Sequence, residues 1–138
     1  MDRAQTLKEK EEVTLSFMLT LAFWILAATV AFGSALAFLH LRAAKLPPWP
    51  VGALHGLAGA TGLVVLTLAL QGPARGAEYG VSAFGPAAAA LVALALVMGL
   101  VVLILARRFR RTSGLVIAIH STIAVTAFVL LLAYVSFS

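Results

Sequence analysis

Four stretches of this chain, residues 15–41, 51–70, 84–105 and 114–137, contain no Asp, Glu, Lys or Arg. All 10 basic and 5 acidic residues lie in the first dozen residues and in the connections between the stretches. A hydrocarbon core of about 30 Å takes about 20 apolar residues to cross as a helix. Within lipid, backbone polar groups must be satisfied inside each segment, so helices are expected and strands are not. The expected fold is all-α: an integral membrane antiparallel four-helix bundle in one domain, behind a tail at residues 1–14.

The connections carry turn chemistry. Lys45 to Pro50 holds three prolines and Trp49, a residue suited to the membrane interface. Residues 71–80 are rich in glycine, with Pro73 among them. Pro86 stands near the start of the third span, where proline is tolerated. Ser113 is a plausible N-cap for the fourth. Ser34 to Ala37 resembles a leader-peptide cleavage site, but the apolar stretch before it is too long for a leader and reads as a true span. Residues 2–12 mix both signs of charge, which fits an amphipathic docking helix or a disordered tail equally.

Topology follows from the cations. Arg42, Lys45, Arg107, Arg108, Arg110 and Arg111 fall on one side; Arg3, Lys8, Lys10 and Arg75 fall on the other, with every acid. The positive-inside rule puts the first group in the cytoplasm and both termini outside, as for a multi-pass protein of the bacterial inner membrane. The net charge of +5 belongs to the span flanks, with no basic face interleaved with aromatics, so nucleic acid is not an expected partner. The chain has no cysteine, which excludes disulfides, cysteine-ligated clusters and covalently attached haem. No carboxylate lies inside a span, against the usual pattern of pumps and secondary transporters.

Two spans contain a histidine in similar phrases. A shift of 65 residues superposes Val51 on Val116, Ala53 on Ala118, His55 on His120, Thr61 on Thr126 and Leu66 on Leu131. Histidine and threonine matches are not cheap in so apolar a composition. With one residue of slippage, Gly33 meets Gly99. The expectation is two repeated helical hairpins, related by an axis along the membrane normal.

A titratable ring inside a membrane is a functional-site hypothesis by default. Both rings lie roughly 7–10 Å below the arginine-rich end at 1.5 Å per residue, and two imidazoles on opposing helices are suitable axial ligands for one non-covalent haem. Gly52, Gly59 and Gly62 share the face of His55 and leave room for a flat macrocycle; the same glycines also suit plain close helix packing. Gly33 and Gly99 relieve crowding from the other spans. The face of His120 is bulkier, with Ile117 and Ile123. Arg42 and Arg107 are candidate partners for haem propionates, with headgroup and topology roles as the alternative. His40, near the end of the first span, reads as an interfacial residue, with a propionate contact, quinone hydrogen bond or proton shuttle as alternatives. Met98 reads as core packing.

Four apolar spans, His55 and His120 on alternate helices, and basic links together resemble the small membrane b-type cytochromes, of the cytochrome b561-like or dehydrogenase haem-anchor kind. The resemblance implies a membrane electron-transfer subunit holding haem b between His55 and His120. Its exchange partner would be quinone or a partner redox subunit, making it a component of an oxidoreductase complex. The two-haem pattern of that group uses four histidines, two on each of two helices. One on each here implies a single haem and no transmembrane wire within one chain. The alternative is a cofactor-free accessory subunit of a larger membrane complex, its histidines serving as interhelical hydrogen bonds. A small transporter or channel is a third reading.

Overall fold

A computed structural model describes residues 3–43, 49–109 and 114–137. Four helices account for most of them: α1 (Arg3–Ala43), α2 (Trp49–Ala69), α3 (Phe84–Phe109) and α4 (Gly114–Ser136). A short 3-10 turn, Ala77–Tyr79, lies between α2 and α3, and no strand occurs among the described residues. All four helices are long and apolar enough to cross a membrane.

The helix bounds extend the expected spans where the sequence permits it. α1 begins at Arg3, so the mixed-charge segment continues the first helix as part of a 41-residue rod. At 1.5 Å per residue such a rod is about 60 Å long, roughly twice a hydrocarbon core. α2 starts at Trp49, which places Pro50 in its first turn, where the missing N–H costs nothing. α3 runs on through Arg107 to Phe109. Lys45, Arg110, Arg111 and Ser113 lie outside the described residues.

Between α2 and α3 the chain reverses on two left-handed glycines, Gly76 (φ 67°) and Gly80 (φ 70°), a conformation glycine reaches without a steric penalty. They flank the 3-10 turn, and Val81 N–H donates to Gly76 O at 3.0 Å.

The helices form a ring: α1 packs on α2 and α4, and α3 packs on α2 and α4. The diagonal pairs make no close backbone approach among the described residues. The core joins Leu19, Ala22 and Leu26 of α1, Leu66 and Ala69 of α2, Ala88, Ala89 and Val92 of α3, and Ala127, Leu131 and Tyr134 of α4. These are the middle of α1, the early part of α3 and the late parts of α2 and α4, so one half of the bundle is closed by small residues and interlocking leucines. Gly62 belongs to this half: a Cβ there would lie 2.7 Å from Leu26 Cδ2.

Burial recurs at the spacing read from the sequence. Leu66 and Leu131, 65 residues apart, are the largest fully buried side chains. Ala22 and Ala88, 66 apart, are both fully buried. Thr61 and Thr126 also behave alike, but away from the interior. Both are exposed, and their hydroxyls donate to Leu57 O (3.0 Å) and Thr122 O (2.8 Å) four residues back. That bond satisfies a threonine hydroxyl within its own helix.

Candidate functional site

The other half of the bundle is hollow. A cavity of about 410 Å³ lies among the late parts of α1 and α3 and the early parts of α2 and α4. His55 and His120 both line it, with Gly33, Gly52, Gly59 and Gly99. His40 and Trp49 line it as well, where α1 finishes and α2 begins.

The two rings meet across the α2–α4 diagonal. Their centroids are 6.4 Å apart and their planes stand at 81°. Side chains therefore bridge a diagonal whose backbones keep their distance. Imidazole nitrogens bind transition metals at about 2 Å; adding about 1 Å from each nitrogen to its ring centre puts two rings on opposite sides of one ion roughly 6 Å apart. The observed distance between ring centres, 6.4 Å, is of that size.

Each ring rests on a glycine of the preceding helix. A Cβ at Gly33 would lie 2.7 Å from His55 Cε1 and 3.0 Å from Nε2. A Cβ at Gly99 would lie 3.2 Å from His120 Cε1 and 3.7 Å from Nδ1. Any side chain at Gly33 would push the ring, and one at Gly99 would crowd it. The slippage of one residue between the two hairpins is what brings both glycines to the same place against their histidines. Gly59 has a different neighbour, Leu96 of α3, at 3.2 Å from its would-be Cβ. Gly56 faces open space.

The polar partners differ between the two rings. His120 Nδ1–H donates to Ala95 O of α3 at 2.9 Å. A carbonyl only accepts, so Nδ1 carries the proton and, in the neutral ring, Nε2 carries the lone pair. His55 Nδ1 is buried with no hydrogen-bond partner among the described residues. Its closest aromatic neighbour is Phe32 of α1, 6.0 Å between ring centres. A buried polar atom left unpaired is costly and calls for a partner or ligand.

Of the residues singled out from the sequence, His55, His120, Gly33, Gly52, Gly59 and Gly99 line one cavity. Gly62 instead packs against Leu26 and Ile25 in the closed half. Arg42 is exposed, its guanidinium 4.6 Å from the centre of the Phe38 ring, and it does not line the cavity. Arg107 lies in α3, but its side chain is outside the described residues. Trp49, Ser34 and Ser121 line the cavity without having been selected as site residues. The 65-residue repeat pairs Gly56 with Ser121, which made that position visible only as a small residue. No group of three or more His, Cys, Asp or Glu side chains able to hold a metal ion occurs among the described residues.

No protein-family model, no curated protein and no solved structure matches this chain.

Proposed function

We propose that this protein is a membrane electron-transfer subunit that holds one non-covalent haem b between His55 and His120. The observation that carries the reading is the pair of imidazole rings on diagonal helices, their centres 6.4 Å apart, both lining one cavity together with Gly33, Gly52, Gly59 and Gly99. The two glycine cradles support it. In this reading the four helices cross the bilayer antiparallel, as two copies of one hairpin. The recurrence of Leu66 at Leu131, of Ala22 at Ala88 and of the glycine–histidine contact at both sites supports the duplication. The basic links face the bacterial cytoplasm and both termini face outward, by the distribution of cations.

Haem, when bound, takes up and releases a single electron; the protein governs its orientation, exposure and potential. His120 contributes a ring fixed by α3, and His55 a ring seated on α1. Gly33 and Gly99 leave space against the rings, and the apolar walls keep water from them. The exchange partner is quinone or an attached redox subunit, and one site per chain means that electrons crossing the whole bilayer need that partner.

The competing reading, a cofactor-free accessory subunit, draws on the His120–Ala95 bond, since interhelical hydrogen bonds stabilise membrane bundles by about 0.6–2 kcal/mol each. The two separate by purification from haem-replete membranes followed by a haem determination per chain and a reduced-minus-oxidised spectrum. The electron-transfer reading expects about one haem per chain with low-spin bands. Absence of haem from protein purified with its native membrane partners would reject it.

A further inference from the structure

The two histidines are not equivalent, although the repeat makes their positions so. His120 is held at two points: its stem on α4, and its Nδ1–H on the carbonyl of Ala95. That carbonyl lies four residues before Gly99, so in α3 it also accepts the helical N–H of Gly99. The missing Cβ at Gly99, which would stand 3.2 Å from Cε1, is what lets the ring reach past the helix surface to this oxygen. The matching residue in α1, by the 66-residue offset that relates Gly33 to Gly99, is Thr29. His55 makes no bond there. It turns its Cε1–Nε2 edge toward Gly33, and its Nδ1 stays unpaired. The Thr29 hydroxyl donates to Ile25 O in its own helix at 2.8 Å.

A carbonyl on the far nitrogen fixes the tautomer and orientation of a ligating histidine and raises its basicity; loss of such a partner typically costs about 10–100-fold in affinity. Resting on the haem reading above, we propose that His120 is the anchoring ligand and His55 the exchangeable one, so that the His55 face of the site opens to a small exogenous ligand. The class of ligand is a neutral lone-pair donor small enough for a cavity walled by Gly33, Gly52 and Gly59, such as free imidazole or carbon monoxide.

The test uses the full-length protein in detergent or nanodiscs, with haem content, optical spin state and the rate of haem loss to excess apo-globin as readouts. His55→Ala is expected to keep about one haem per chain in a high-spin form, and free imidazole is expected to restore the low-spin spectrum. His120→Ala is expected to lose haem at least tenfold faster than His55→Ala. Equal losses, or faster loss from His55→Ala, overturn the proposal while a haem-loaded wild type leaves the electron-transfer reading standing. A wild type without haem overturns both. If His120→Ala does not accumulate, Gly99→Ala substitutes for it, because its methyl, 3.2 Å from Cε1, makes the ring give by a few tenths of an ångström and weakens its bond to Ala95 O without removing the ligand. Gly99→Ala is then expected to shed haem severalfold faster than Gly33→Ala. Equal or slower loss refutes the anchoring role of His120.

Discussion

Gly33→Ala is the most informative substitution, because Gly56→Ala on another helix is an internal control for it. Each replaces one helical glycine with alanine and gains the same local helix preference, about 1 kcal/mol in water. Gly56 has open space where the new methyl would sit. At Gly33 the methyl would sit 2.7 Å from His55 Cε1. Carbon atoms pack at about 3.5–4.0 Å, so the ring has to move by about 1 Å. Overpacking of this kind costs about 1–3 kcal/mol. The propensity gain cancels in the comparison, which leaves Gly33→Ala about 1–3 kcal/mol less stable than Gly56→Ala. The same displacement takes Nε2 off its position, so more of the haem should leave the low-spin state in Gly33→Ala than in Gly56→Ala, whose methyl enters the cavity without touching the ring. Reversible unfolding in mixed micelles measures the first effect, and the optical spectrum measures the second. If the two variants match in both stability and spin state, the glycine cradle has no role and the reasoning about His55 fails.

Other consequences are simpler to state. His55→Ala and His120→Ala should each abolish the low-spin spectrum, whereas His40→Ala should leave it intact; a normal spectrum in either of the first two rejects the ligand assignment. Leu66→Ala and Leu131→Ala, which empty fully buried positions in the closed half, should each destabilise the bundle by about 2–5 kcal/mol in an unfolding titration. A loss under 1 kcal/mol from both would mean that the closed half does not hold the bundle together. Arg42→Ala removes an exposed contact over Phe38 worth about 0.5–1 kcal/mol and should change haem content not at all. A marked loss of haem from Arg42→Ala would make it a propionate partner after all.

The helices were legible because charge-free stretches of the right length leave few other options, and their order was legible from short proline- and glycine-rich links. The site was legible through the two histidines, whose composition-defying repetition marked them. The glycines were harder to read. Gly33, Gly59 and Gly62 look alike in sequence, yet one cradles His55, one meets Leu96 and one packs on Leu26. Which neighbour a glycine meets depends on helix rotation, which an apolar chain does not encode in an amphipathic stripe. The same reason hid the asymmetry of the two rings. The sequence pairs His55 with His120, but only the approach of α3 to α4 reveals that Ala95 O bonds one ring while the other goes unpaired. The tail at residues 3–14 was open between helix and disorder; its continuity with α1 reflects the lysine- and glutamate-rich composition, which favours helix.

The measurement closest to the central claim is electron paramagnetic resonance of the ferric protein at low temperature. A ferric haem held by His55 and His120 would be low-spin. One low-spin signal is therefore expected, at about one spin per chain, and it should vanish in His55→Ala and in His120→Ala. Absence of any low-spin signal from the haem-loaded wild type, or its survival in either variant, would contradict the account.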